Sequence, residues 1–508
     1  MKNILFLVLL LTCIQLFAQP DTEVHLVDIE TIDGKIQLSN PRNISNNPGY
    51  DNQPSFYDPN SILFASTRDG QTDVLKFNIA EGSTSKWLTD TPTGGEYSPL
   101  RIPEKNSVSA IRLDMDGLQR LYEYNPEDGS SKVIIEGAKI GYHVWYTPEI
   151  LVATLLVENR MNLILCHLDE NGKYRTIQKN VGRSLQNIPN TELVSYISKE
   201  NSESSELKSL DPITGATKKI LDIGKTEDVC WLPDGTLVAG MGNALYKFHP
   251  KNDENWSLLQ SFPDKNITNI SRLAVNVDAT RLAFVAEPSP ANIVQKQVDS
   301  YNAGDLDAFV NCYAEDVLVS NFPMDIRYRG HEKMRENYSS LSPENKVYDV
   351  EVVKRITIGN KVIDQEKVTG NGKIQMQVAL YEVENGKISS MRFIFDDSTV
   401  SNPEPIVQTQ MDAYNARDID AFLETYTTNV EVYNFPHEAQ YTGKGKMREG
   451  YSKFFESTPD LNYIVKNRIS IADYVIDEEY ITANGGNFSA VAIYKVEDGK
   501  IAKVTFIQ

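Results

Sequence analysis

Two segments of this 508-residue chain carry a pair of carboxylates at alternate positions: Asp364 with Glu366 and, 113 residues further on, Asp477 with Glu479. In a strand, residues i and i+2 share a face, so each pair presents two carboxyl groups side by side. Neighbouring carboxylates push one pKa upward, which is what a general acid/base requires. An arginine precedes each pair, Arg355 and Arg468. If Gly359-Asn360 and Ala472-Asp473 are two-residue turns, Arg355 falls opposite Asp364 and Arg468 opposite Asp477. A cross-strand ion pair then competes with acid/base chemistry for the same aspartates. The ion pair is the plainer reading, and the catalytic pair the sharper one.

Other polar and aromatic residues recur at the same offset. Tyr301, Tyr313, Tyr338 and Tyr381 return as Tyr414, Tyr426, Tyr451 and Tyr494, and Gln297 returns as Gln410. At helical or strand spacing such aromatics are either core or the walls of an amphipathic cavity. Asn321-Phe322-Pro323 and Asn434-Phe435-Pro436 either order a turn or reach a ligand from the pocket mouth. His437 has Met324 as its counterpart, so it serves no shared mechanism. None of the histidines (His25, His143, His167, His249, His331, His437) pairs with a Cys or acidic residue at metal-ligand spacing. No metal and no cofactor is expected. No Gly-x-Ser-x-Gly nucleophile elbow occurs either, which removes a serine-peptidase reading.

The elements that position these residues form one domain written twice. Residues 293–395 and 406–508 align without a gap, with about 47 identities in about 103 positions. Each copy opens on a helical pattern (Ile293, Val294, Gln297, Val298, Tyr301; Ile406, Val407, Gln410, Met411, Tyr414). A second helix is N-capped by Asp305 or Asp418 and carries Leu306, Phe309 and Tyr313 inward. A short strand, a third helix with Met334 and Tyr338, and three longer strands complete the unit. The last two strands form a hairpin around Glu384-Asn385-Gly386-Lys387 or Glu497-Asp498-Gly499-Lys500. The pairs Gln375/Phe488 and Met376/Ser489 indicate that the two pockets differ.

This order of elements, with the runs Tyr301-Asn302-Ala303-Gly304-Asp305 and Tyr414-Asn415-Ala416-Arg417-Asp418, resembles the nuclear transport factor 2-like fold. Within it, the runs resemble SnoaL-like and ketosteroid-isomerase-like members. The resemblance implies two α+β cone-shaped domains, residues 291–396 and 404–508, that pair through their sheets as an intrachain pseudo-dimer. It places the isomerase tyrosine, base and acid at Gln297, Asn321 and Ala379, and at Gln410, Asn434 and Ala492. No general base stands at either base position, so the isomerase mechanism is disfavoured in both copies.

The first half is all-β. Short alternating strands are broken by Gly, Pro, Asn and Asp, and a landmark recurs at Pro54, Pro99, Pro148, Pro189 and Pro233, then without proline at Asn276. The spacing of roughly 41 to 49 residues is that of a four-stranded propeller blade. The run Ile62-Leu63-Phe64-Ala65-Ser66-Thr67-Arg68-Asp69-Gly70 resembles TolB-like six-bladed propellers. A six-bladed propeller over residues 24–287 is therefore expected, its last blade completed by the strands around Asp33-Gly34. Turn aspartates such as Asp69, Asp234 and Asp278 serve the backbone rather than a ligand.

The formal net charge of −20 argues against nucleic acid and anionic membranes as partners. Lys2, the apolar run from Ile4 to Leu11 and Phe17-Ala18-Gln19 read as a secretory signal over residues 1–18. A lipid anchor at Cys13 is disfavoured by Thr12 before it. The chain is thus expected outside the cytoplasm, periplasmic or extracellular. Cys166, Cys230 and Cys312 then remain, an odd and widely spaced set that suggests buried thiols rather than disulfides. The leading expectation is an exported, non-enzymatic binding protein: tandem pockets for a small apolar or amphipathic molecule, with the propeller as an interaction platform for a protein. A SnoaL-like isomerase, cyclase or hydrolase using Asp364/Glu366 and Asp477/Glu479 is the rival. A scaffold with vestigial, side-chain-filled pockets is the third reading.

Overall fold

Apolar residues alternating between turn residues fold the first half into six four-stranded sheets. The computed structural model describes residues 21–507 apart from 48, 80–83, 93, 170–172, 264–266, 345–347, 371 and 398–400. The signal segment and Cys13 lie outside the described residues. The chain divides into two units at Pro288/Ser289. Among the described residues, no helix is long and apolar enough to cross a membrane.

The first unit is a six-bladed propeller. In the blade that carries the sharpest signature, Ser61–Arg68 buries Ile62, Leu63, Phe64 and Ala65. Its hairpin to Gln71–Asn78 turns at Asp69 and Gly70, whose φ of 49° and 78° are the positive values a two-residue turn needs. The innermost strands touch in a closed circle: Asn52–Asp58, Gly94–Arg101, Ile140–Trp145, Val181–Asn187, Val229–Trp231 and Thr268–Val275. The repeated proline landmarks lie on these strands or just past their ends. Closure comes from the N-terminal segment, as expected. Glu23–Ile32 pairs with Arg281–Glu287 (Val24 opposite Val285, Val27 opposite Leu282), and Lys35–Asn43 forms the outer edge of that blade. The last blade thus borrows two strands from the chain start, which leaves no exposed edge between last and first blades. Cys166 and Cys230 are buried cysteines of this unit and form no disulfide.

The second unit holds the two α+β copies. In the first, helices Pro290–Ala303, Leu306–Asn311 and Gly330–Asn337 cover one face of a six-stranded sheet. The sheet order is Asp325–Arg329, Tyr313–Asn321, Lys387–Phe395, Lys373–Glu384, Lys361–Gly370, Tyr348–Ile358. Asp305 caps the second helix, its carboxylate accepting from the Ala308 amide at 2.9 Å, and Asp418 does the same for Ala421 at 3.0 Å. Two details differ from the sequence reading. Tyr313 opens a strand rather than closing a helix, because the helix stops at Asn311 and the β-branched Val317 and Val319 continue the chain as sheet. Four long strands rather than three finish each copy, with a further short strand, Asp325–Arg329 or Glu438–Thr442, at the edge.

Period two then decides which residue does what. On Lys361–Gly370, Val362, Asp364, Glu366 and Val368 point to the helix-covered concave face, while Ile363 and Gln365 point to the convex one. The convex face is buried against the other copy. Ile356, Ile363, Val378, Leu380 and Ile394 meet their counterparts Ile469, Ile476, Val491, Ile493 and Ile507 in one apolar cluster. Lys354 Nζ donates to the Arg468 carbonyl at 2.8 Å, and Gln365 Nε2 to the Ser470 carbonyl at 3.2 Å, across this seam. The same surface from each copy meets itself, which is the arrangement of a two-fold dimer realised within one chain.

Candidate functional site

The concave face of the first copy encloses a cavity of about 560 Å³. Its walls come from every layer of the cone: Gln297 and Tyr301 from the first helix, Phe309 from the second, and Glu366, Gln377, Tyr381, Met391 and Phe393 from the sheet. Val350, Arg327, Tyr328, Tyr338 and Phe395 complete it, and the Arg327 guanidinium lies 5.7 and 5.6 Å from the Phe393 and Phe395 ring centres. A second cavity of about 190 Å³ adjoins it, sharing Tyr301, Asn337 and Tyr338 and reaching Ser342 and Tyr348.

The two carboxylates of the first copy have separate fates. Asp364 is fully buried and held by a bidentate guanidinium, Arg355 Nε to Oδ1 at 2.7 Å and Nη2 to Oδ2 at 2.6 Å. Arg355 Nη1 also donates to the Ala291 carbonyl at 3.2 Å and to Gln295 Oε1 at 3.0 Å, so the pair fastens the sheet to the first helix. Burial raises the Asp364 pKa, and the arginine opposes that rise. Asp477 and Arg468 repeat the arrangement at 2.7 Å for both bonds.

Glu366 instead lines the cavity. Tyr381 Oη donates to its Oε1 at 2.8 Å and Gln377 Nε2 to its Oε2 at 2.7 Å. Burial pushes its pKa up to about 7, with those donors pulling the other way. Glu479 keeps the tyrosine (Tyr494 Oη to Oε1, 2.8 Å) but has Ala490 where Glu366 has Gln377 opposite, and burial pushes it to about 8.

Gln297 is 6% exposed, and its Oε1 has no hydrogen-bond partner. In the second copy the equivalent oxygen of Gln410 accepts from Tyr463 Oη at 3.2 Å. Tyr463 stands where the first copy has Val350, and its ring lies 5.2 Å from that of Tyr414, the counterpart of Tyr301. Phe455, which replaces Ser342, packs on Tyr414, Phe422 and Tyr451 at 5.4 to 5.8 Å. It sits on a helix of 14 residues, Lys444–Ser457, where the first copy's helix has 8. The second copy thus carries two buried rings at positions that line open space in the first.

Several residues expected at the pocket lie elsewhere. Tyr313 and Tyr426 are buried in the cores beneath the second helix, where Phe309 and Phe422 meet them edge-on at 5.2 and 5.0 Å. Phe322 and Phe435 leave the cavity for the seam between copies: Phe322 meets Tyr474 edge-on at 5.9 Å, and Arg392 lies 4.8 Å over Phe435. Asn321 Nδ2 bonds Asp325 at 2.9 Å within its own turn, and Asn434 begins the equivalent turn. Ala379 faces Asp364 and Ala492 faces Asp477 across the strands, where a methyl supplies no proton. Gln297, Tyr301, Tyr338, Glu366 and Tyr381 are the expected residues that do line the cavity. The sequence reading did not single out Val350, Gln377, Ser342 or Arg327. For Val350 and Ser342 a signal was present, since from Ser340 to Glu351 no position is identical between the copies; Gln377 and Arg327 differ from their counterparts Ala490 and Gln440. Gln375 and Phe488, taken as a mark of unequal pockets, are exposed and outside the cavity.

The first unit has its own polar cleft of about 520 Å³, reaching the innermost strands Val181–Asn187 and Thr268–Val275. Arg183 grips Asp228 there with bonds of 3.0 and 2.5 Å, and Arg272 Nη2 donates to Tyr142 Oη at 3.1 Å.

The SnoaL-like domain family matches this chain twice, over residues 294–391 and 407–504. No curated protein matches it. Among solved structures, an uncharacterized cystatin-fold protein from Novosphingobium aromaticivorans is 26% identical over 21% of this chain and 99% of its own, with a TM-score of 0.20. An NTF2-like protein of unknown function from Cytophaga hutchinsonii is 24% identical over 23% and 95%, TM-score 0.19. A putative TolB from Agrobacterium tumefaciens is 12% identical over 53% and 98%, TM-score 0.41. Each C-terminal copy is thus similar to the SnoaL-like domain, and the first keeps an open cavity in it.

Proposed function

We propose that the first C-terminal copy binds a small amphipathic molecule and that the second copy serves as its structural partner. The observation that carries this is the pairing of an open cavity with a buried, unpartnered acceptor at Gln297. A buried polar atom without a partner costs about 1–3 kcal/mol, which a bound ligand recovers. The volume lies inside the ~300–1,000 Å³ usual for small-molecule sites. The seam between the sheets gives the second copy a role that needs no pocket of its own. In this reading the chain is an exported binding protein, and the propeller with its Arg183/Asp228 cleft is the platform for a protein partner.

An enzymatic reading is favoured by one feature, a cavity-lining carboxyl whose pKa sits near neutrality. Glu479 weighs against it. The same Glu–Tyr pair, shifted further, occurs in a copy that places Tyr463 beside it. Burial at this strand position is enough to raise the pKa without any chemistry. An enzyme would lose turnover on Glu366→Gln while keeping substrate affinity.

Native mass spectrometry of the purified full chain tests the binding reading. One retained small molecule per chain is expected, and Val350→Tyr should remove it. An apo mass for the wild type, together with no small-molecule stabilisation in a thermal-shift library screen, would overturn the proposal.

A further inference from the structure

The second copy contains, built into its own chain, the group that the first copy lacks. Tyr463 and Val350 begin from the same place: Asn415 clamps the Tyr463 backbone, donating to its carbonyl at 2.9 Å and accepting from its amide at 2.8 Å. Asn302 holds Val350 identically at 2.8 Å in both directions. The two strands therefore present their side chains to the cone in the same way. From that point the Tyr463 ring reaches the first helix, where its hydroxyl meets Gln410. Its neighbours are Gln410, Tyr414, Glu479 and Tyr494. Their counterparts, Gln297, Tyr301, Glu366 and Tyr381, all line the first cavity.

We infer that the first cavity takes a flat aromatic ring bearing a hydroxyl group, seated where the second copy seats Tyr463, with that hydroxyl on Gln297. This rests on the reading of the first copy as a binding site and names the class of ligand. A hydroxyl both donates and accepts, so it satisfies the amide of Gln297 as Tyr463 satisfies Gln410. Tyr301 offers its ring to the ligand edge-on, as Tyr414 does to Tyr463 at an interplanar angle of 73°. The cavity of about 560 Å³ exceeds one phenol ring. The ligand therefore extends beyond the hydroxyaryl group, toward Phe393, Phe395 and Arg327.

The test is a ligand-observed NMR titration of the full chain with p-cresol, and with toluene as the same skeleton without a hydroxyl. Saturable p-cresol binding is expected, at least about tenfold tighter than toluene. The preference should vanish in Gln297→Leu, and both ligands should be lost in Val350→Tyr. The latter variant installs a residue that the second copy already accommodates, so its folding is a fair expectation, checked by its melting curve. Equal affinity for the two ligands, or a preference that survives Gln297→Leu, overturns the hydroxyaryl assignment. Binding of toluene alone, sensitive to Val350→Tyr, would overturn the assignment yet leave the pocket standing. Binding of neither overturns the assignment as well, and native mass spectrometry then decides separately whether the pocket holds another class of molecule.

Discussion

Replacing Tyr463 by alanine should turn the second copy into a receptor for phenol. The ring is 2% exposed, wedged against Tyr414 and bonded to Gln410. Truncating a buried aromatic to alanine costs about 3–5 kcal/mol through lost transfer energy and the cavity left behind. Gln410 Oε1 also loses its donor, which places the cost toward the upper end of that range. Phenol is the group removed. At one hundred times its dissociation constant it should return about 2.7 kcal/mol. Benzene should return less, because it leaves Gln410 unpaired. The assay is calorimetric unfolding of the full chain with and without phenol, in a Val350→Tyr background that closes the first cavity. A loss below about 1 kcal/mol, or a phenol shift no larger than that of the Val350→Tyr single variant, would refute the claim that this ring fills the cone.

Three further outcomes follow from the same geometry. Arg355→Met leaves Asp364 buried without its cation and should cost about 3–5 kcal/mol in denaturant unfolding, whereas Arg355→Met with Asp364→Leu should recover most of that loss. Glu479 has an ordinary pKa of 4.5 raised to about 8 by burial, so the folded chain keeps a proton that the unfolded chain has shed. Its contribution is fully present below pH 4.5 and is lost as pH rises through 8, so Glu479→Gln should melt close to wild type at pH 5 and higher than wild type at pH 9. Ile476→Asp puts a charge into the seam between copies, and small-angle scattering of the full chain should show a larger radius of gyration than wild type.

The sequence made some of this legible because local rules suffice there. The 113-residue offset, the Asp305 and Asp418 caps and the pairing of Arg355 with Asp364 depend on spacing and turn length alone. So does the borrowed blade, since a propeller short of two strands at one end must find them at the other. The cavity was less legible because an aromatic on a strand reads as core in either copy. Tyr313 and Tyr301 are indistinguishable by pattern, yet one ring is sealed beneath the second helix and the other faces open space. Phe322 and Phe435 looked like a pocket mouth until the convex faces met and took them up. Val350 drew no notice because its meaning is relational: it matters only against Tyr463, across a distance that neither copy's own pattern states.

That relation also explains why a filled copy persists beside an open one. Each sheet is apolar on both faces, so a lone copy would expose Ile356, Ile363, Val378, Leu380 and Ile394 to water. An apolar patch of that kind needs a cover. A homodimer would supply it with two identical cones, and any side chain that filled one would fill both. Tandem duplication removes the constraint, because each half of the seam can be kept while the two concave faces change independently. In the second copy Tyr463 and Phe455 belong to the buried core. The first copy keeps the open arrangement, with an unpaired acceptor at Gln297 and open volume before it, each of which costs stability. The Val350→Tyr chain should therefore unfold at a higher temperature than the wild type, and a lower one would mean that the open cone is not the strained member of the pair.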